Sequence, residues 1–374
     1  MDPKNVIFDS NFSLNFGSSE QKRTYGFCYE NYENDILKNQ IHYEIEVNFV
    51  TDKYGNNRIF EINRKQFFLN NKTPSSKIEQ IAEKASQAVF PLRIQVKKNG
   101  EIEKILNNEA VKERWLLTKK EILHYYKGGV TTKIVNKMDS ILLNKKALKK
   151  SIDQNWFFHL YFKPIYVEYT SKLRFKSIWE SPVFGNQFIE YGVIHTVKEQ
   201  YDSNDKIIIN ARGTAIDERT VEEILEGYTF SKKYLSEDAG ELVDSNMDVE
   251  YKLYEEDRSI FSITGSFTTK INNKVNKKIQ VEIYHFPENS SFRPVSDAAF
   301  KESMRIFQSY QNKEDDDIID ITESIRKMQS ENPKKERILG TSKEVNYFYI
   351  HEEPVNITKR SFTDRLKSLF RKNK

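Results

Sequence analysis

Between residues 41 and 49 apolar and polar side chains alternate. Ile41, Tyr43, Ile45, Val47 and Phe49 are separated by His42, Glu44, Glu46 and Asn48. A period of two sends successive side chains to opposite faces, which predicts a strand with one buried face. Asp52-Lys53-Tyr54-Gly55-Asn56 interrupts the pattern with turn formers, and 58–62 resumes it, so an antiparallel hairpin is expected. The period then changes. Ile78, Ile81, Ala82, Ala85 and Val89 recur at helical spacing behind the cap candidates Ser75 and Ser76, up to Pro91. Leu92, Ile94 and Val96 predict a strand, Asn99-Gly100 a type I′ hairpin turn, and 102–106 the returning strand.

A long helical region follows, with Asn107 or Asn108 as cap. Its first stretch carries Val111, Trp115, Leu116, Ile122 and Leu123. Gly128-Gly129 breaks it, and Ile134, Val135, Met138, Ile141 and Leu142 continue into the lysine-rich run 145–150. From Trp156 onward strands are expected again, at 165–169, 173–178, 187–197 and 207–211, with a turn at Ser203-Asn204-Asp205. Asp217 is placed to cap a short helix over 220–225 that Gly227 stops, and 231–246 reads as a polar loop. Residues 247–256, 258–271 and 277–286 read as a three-stranded meander, in which Ile279, Val281, Ile283 and His285 share a face. Beyond it, Ser296 can cap a helix using Phe300, Met304 and Phe307, and 345–350 can form an edge strand.

These elements predict an α+β fold: an antiparallel β-rich body curved around one or two long helices from 109–152, with a flexible C-terminal appendix. The expected divisions are a β-rich lobe with central helices (1–230), a meander plus helix able to share its core (247–311), an acidic and polar linker (312–358), and a basic amphipathic tail (359–374).

Composition narrows this picture. Of 374 residues, 38% are hydrophobic and 13% aromatic, enough for a core built on pleated surfaces. The single cysteine, Cys28, allows no internal disulfide and reads as a small core residue between Phe27 and Tyr29. No secretory leader is visible and no apolar run approaches the ~20 residues needed to cross a bilayer, so a cytoplasmic location is expected. Charge is unevenly placed. Residues 359–374 hold seven Lys/Arg against Asp364, a net of +6 in a chain of net +4, so the remaining residues are slightly acidic. That argues against a nucleic-acid platform in the body.

The tail is the most specific feature. Phe362, Leu366, Leu369 and Phe370 fall on one helical stripe, with Arg365, Lys367, Arg371 and Lys372 on the other positions. Such a short helix is marginal alone and gains order by docking on a partner groove, an anionic membrane surface or its own body. Glu314, Asp315, Asp316, Asp317, Asp320 and Glu323 form an acidic run of matching size, a candidate internal counterpart for the tail.

Catalytic patterns are sparse. The six histidines (His42, His124, His159, His195, His285, His351) show no metal-ligand spacing, no second cysteine could complete a zinc site, and no Gly-x-Ser-x-Gly occurs. The expectation is no metal, no cofactor and no assigned catalytic residue. Gly128-Gly129-Val130-Thr131-Thr132-Lys133 lacks the first glycine of a phosphate loop and reads as a helix break. The cluster 212–219 offers Arg212, Asp217, Glu218 and Arg219 for acid–base chemistry, though a strand end and helix cap account for it more simply. Trp156, Phe158, Tyr161 and Phe162 read first as core, and second as one wall of a pocket for a small apolar ligand.

The function expected is a non-enzymatic binding or accessory protein, adaptor or chaperone-like, that holds a protein partner through its body and docks through the basic tail. The alternatives are a carrier of a small apolar ligand and an enzyme of unrecognised class centred on 212–219. Among partners a protein comes first, then a small apolar ligand, then an anionic membrane surface reached by the tail, with nucleic acid last.

Overall fold

The computed structural model describes residues 4–17, 22–51, 58–232 and 240–286. The helix expected over 296–307, the acidic run, the edge strand expected at 345–350 and the tail residues Phe362, Arg365, Leu366, Lys367, Leu369, Phe370, Arg371 and Lys372 lie outside the described residues.

The described residues build an α+β fold around one large antiparallel sheet. Its strands are β1 (Lys22–Glu33), β2 (Ile36–Thr51), β3 (Arg58–Leu69), β4 (Leu92–Val96), β5 (Ile102–Ile105), β6 (Arg174–Phe184), β7 (Gln187–Val197), β8 (Lys206–Ala215), β9 (Asp244–Tyr254), β10 (Ile260–Asn272) and β11 (Val275–Phe286). Their spatial order is β5-β4-β3-β2-β1-β11-β10-β9-β8-β7-β6. Two meanders, β1 to β5 and β6 to β11, are therefore joined by the antiparallel pairing of β1 with β11, from Thr24 opposite Phe286 to Glu33 opposite Lys277. The strands of 244–286 lie in the middle of the same sheet as those of 22–105.

Alternation dictates the buried face. In β9, Ser245, Met247, Val249, Tyr251 and Leu253 are buried, while Asp244, Asn246 and Asp248 are exposed. The β1–β2 hairpin turns through Asn34 and Asp35, both at positive φ (49° and 59°), the conformation a two-residue turn between twisted strands requires. Asn34 also ties the meanders together: its amide donates to Lys274 O and its carbonyl accepts from Asn276 N–H.

The helices are α1 (Lys77–Gln87), α2 (Asn108–Tyr125), α3 (Gly129–Leu142), α4 (Lys145–Gln154), α5 (Trp156–Tyr161) and α6 (Val221–Leu225). A capping box of Ser76 with Glu79 starts α1. Gly128, at φ 113°, separates α2 from α3, and Asn144 caps α4 through Lys146 and Ala147 N–H. The stretch expected as one or two long central helices is thus three helices: α3 packs on both α2 and α4, and α2 and α3 pack on α1.

Four local expectations are corrected. Residues 156–161 are helical, because Asn155 accepts from Phe157 N–H and starts a turn there. Residues 165–169 form no strand: Tyr166 N–H goes to Asn99 O and Tyr169 N–H to Phe12 O. Asn99-Gly100 is a turn, but not type I′. Only Gly100 has positive φ (102°), and its N–H closes onto Lys97 O. Asn107 sits at the N-cap of α2, yet its side chain is taken by Arg93 N–H and Pro91 O.

The buried helix α5 reveals how the sheet is bent. Tyr161 packs edge-on against Tyr25 of β1 (centroids 5.2 Å), and Trp156 against Phe267 of β10 (4.7 Å). Tyr251 of β9 donates to Leu160 O, His159 meets Ser181 of β6, and Phe162, just past the helix, meets Phe60 of β3. Eight strand intervals separate β3 from β6, about 38 Å if the sheet were flat. Six helical residues span only about 9 Å. The sheet must therefore curl around α5.

Candidate functional site

The two strands at the ends of the sheet, β5 and β6, are joined in the chain by α2 to α5. Where this connection passes the turn into β5, a crevice of about 240 Å³ opens. Phe158, His159 and Phe162 wall one side. The pairs Lys97–Glu101 (3.0 Å) and Lys149–Asp153 (2.5 Å) wall the other. Phe158 and Phe162 thus line a pocket, but one whose lining also carries four charged side chains. Trp156 and Tyr161 do not line it; both are buried in the core at 1% and 8% exposure.

Lys163 follows directly, its Nζ 4.6 Å from the centre of the Trp179 ring. Burial pushes its ammonium down to about 7, against the pull of Glu101, Glu180 and Asp153. His159 and His195 are held neutral, mainly by burial and secondarily by Lys163, His195 falling to about 4. Each ring shares a hydrogen bond with a serine: His159 Nε2 with Ser181 Oγ at 3.2 Å, His195 Nε2 with Ser177 Oγ at 2.9 Å. These groups could pass protons, but the pocket's carboxylates are engaged by neighbouring lysines and the imidazoles by hydroxyls.

The cluster 212–219 does not converge. Arg212 pairs with Asp248 (3.0 Å) on the exposed face of the sheet. Arg219 grips Asp217 through two nitrogens (2.6 and 2.8 Å) and donates to Phe188 O and Tyr228 O. Asp217 also accepts from Glu190 N–H, so it clamps the start of β7 rather than capping a helix. Thr220, with Glu223, caps α6. The arginine beside Asp217 holds its carboxyl below the usual range despite burial. Cys28 is half-buried with Sγ 3.5 Å from His42 Nε2, and burial pushes its thiol up. Among the described residues no group of three or more His, Cys, Asp or Glu is placed to hold a metal ion, and no helix is long and apolar enough to cross a membrane.

Among the described residues, the outer edge of β6 is open. Leu173 O accepts from Val197 N–H, which fixes the parity of the ladder. Lys176, Ile178 and Glu180 therefore direct their backbone groups away from β7, and no described strand lies beyond β6. Ile178 is 67% exposed and stands opposite Gly192. Ile216 lies over that glycine, where an added Cβ would meet its Cγ2 at 3.0 Å, and Ile194 is two residues along the same face. Ile194 and Ile216 are 43% and 46% exposed, so three isoleucines form an apolar patch beside the free edge. The sequence carried one signal of it: Ile194 is apolar where the alternation of Ile189, Tyr191 and Val193 calls for a polar residue.

Comparison with known proteins gives no relative: no family model matches the chain, and no curated protein is similar to it.

Proposed function

We propose that this chain is a non-enzymatic binding protein that holds an extended segment of a protein partner along the free edge of β6. The observation that carries this reading is the edge itself. Its backbone donors and acceptors face outward over Lys176–Ile178–Glu180, beside the patch of Ile178, Ile194 and Ile216. An added strand gains affinity from main-chain hydrogen bonds and specificity from the side chains it sets over such a patch. The engagement of the crevice and 212–219 charges with one another favours binding over acid–base chemistry. In this reading the basic tail supplies a second docking element through Phe362, Leu366, Leu369 and Phe370.

A photo-crosslinking residue placed at Ile178, in the full chain and in the cells that make it, tests the proposal. One dominant adduct is expected, lost when Ile194→Lys is added and absent when the crosslinker sits at exposed Tyr125 on α2. No adduct from position 178, or equal yield from 125, would overturn it.

A further inference from the structure

Strand β3 places an arginine where its register calls for a core residue. Phe60, Ile62 and Arg64 follow one another at period two, and Arg64 stands opposite buried Ile45. All three are buried, Arg64 to 5% exposure. A bulge follows: Ile45 pairs with Arg64 but Tyr43 with Phe67, so Lys65 and Gln66 oppose Glu44 alone. Bulges of this kind re-aim side chains next to binding sites.

The guanidinium is poorly satisfied for so buried a charge. It has five N–H donors. Nη2 donates to Gln87 Oε1 at 3.1 Å and reaches Glu83 only loosely, at 3.4 Å to Oε1 and 3.5 Å to the backbone oxygen. Nε is buried without an acceptor among the described residues. Phe67 and Phe90 lie against it, 5.1 and 5.5 Å from ring centre to guanidinium carbon. Arg64 forms part of the wall of a cleft of about 440 Å³ between β3 and α1. Its other charged lining groups are Lys65, which also pairs with Glu46 at 2.6 Å, Lys84 and Glu83. Three cations therefore face one carboxylate. Gln80, Gln87, Phe67 and Tyr126 supply amide and aromatic surface.

We propose that this cleft binds a small organic carboxylate, whose carboxylate takes the edge of Arg64 now loosely held by Glu83 while its body lies against Phe67 and Tyr126. The volume falls within the range of small-molecule sites, about 300–1,000 Å³. A planar carboxylate matches the guanidinium fork. A monoanion suits the cleft better than a dianionic phosphate, because one negative charge replaces the one that Glu83 places against Arg64. The incoming carboxylate displaces the Glu83 side chain, which is 30% exposed and free to turn toward solvent.

The test is titration of the full chain by calorimetry with acetate, benzoate and decanoate. Benzamide, inorganic phosphate, and one short peptide with a free or amidated C-terminus serve as comparison arms. Saturable binding of at least one monocarboxylate is expected, with benzamide and phosphate at least tenfold weaker. Glu83→Gln, which removes the competing carboxylate without touching the core, should tighten binding severalfold, and Lys84→Gln should weaken it severalfold. Arg64→Met should abolish it. Binding of the free but not the amidated peptide would assign the same carboxylate chemistry to a chain terminus. The proposal is overturned if no carboxylate binds, if benzamide or phosphate binds as well, or if Glu83→Gln weakens binding. This site is separate from β6, so the crosslink at 178 neither supports nor removes it.

Discussion

The two ends of the sheet are finished differently. At one end β5 is four residues long, meets β4 through a shifted register between Gln95 and Val96, and sets the exposed charges Glu103 and Lys104 outward. Shortness, irregularity and charge are the usual means of blunting an edge against unwanted pairing. At the other end β6 is eleven residues long and bears an apolar residue between Lys176 and Glu180. Its irregularity is confined to one terminus, where the register shifts between Ser181 and Phe184 and Pro182 removes a donor. The same sheet thus protects one edge and leaves about seven residues of the other available. The proposed docking of an extended segment on β6 rests on this contrast.

The comparison can be broken most strongly from the inside. Trp156 touches Phe267 and His159 and is 1% exposed, so Trp156→Ala should cost about 3–5 kcal/mol of stability and loosen both edges at once. Urea unfolding measures this; a loss under 1 kcal/mol would mean α5 does not hold the curl.

Acid should act through His195 on the β6 side. Burial lowers its affinity for protons from the ordinary 6.5 to about 4, while the unfolded chain takes its proton near 6.5. Between those values the unfolded state binds more protons, so stability must fall as pH drops through the window, by on the order of 3 kcal/mol for this group. Comparing urea midpoints of the wild type and His195→Gln at pH 7, 5 and 4 should show a shallower slope in the variant.

Lys163, between the two ends, works in the opposite range. Its folded value near 7 lies below the ordinary 10.5, so the unfolded state again binds more protons, now between about 7 and 10.5, and stability rises with pH there. Lys163→Met should flatten that rise and, at pH 7, leave stability unchanged or raise it by about 1–3 kcal/mol. An unchanged slope would show that the ammonium is not desolvated.

The smallest effect sharpens the contrast. Ile178→Lys on the outer edge should shift stability by less than about 0.5 kcal/mol while removing the partner adduct formed by a crosslinker moved to Ile216. A larger loss of stability would place Ile178 in the fold rather than at a surface.

Strands with one wet face were legible in the sequence. The alternation of 41–49 and 187–197 and the meander of 247–286 found their strands because half of each pattern was polar. Helix α5 was not legible. Its six residues, Trp-Phe-Phe-His-Leu-Tyr, are buried on every side, so no period distinguishes them from a strand. Residues 165–169 failed for a related reason: a β-prone run whose backbone partners, Asn99 and Phe12, lie far away in the chain. Asp217 was the expected cap, but Arg219 claims its carboxylate and Thr220 caps α6 instead. The free edge of β6 depends on sheet order, which no local pattern carries. Arg64 does continue the phase of Phe60 and Ile62, but only packing reveals that its charge is under-satisfied.

The pairing of β1 with β11 has a consequence for how the molecule is made. The first strand of the sheet waits for the last, some 250 positions later in synthesis, and until then β1 and β10 are both bare. Each meander can form from neighbouring hairpins as it leaves the ribosome, but the central seam closes only after residue 286 has emerged. During that interval the nascent chain displays four unpaired borders, two of which, β1 and β10, await the same strand. The two meanders therefore become one sheet late, through the addition of a single strand.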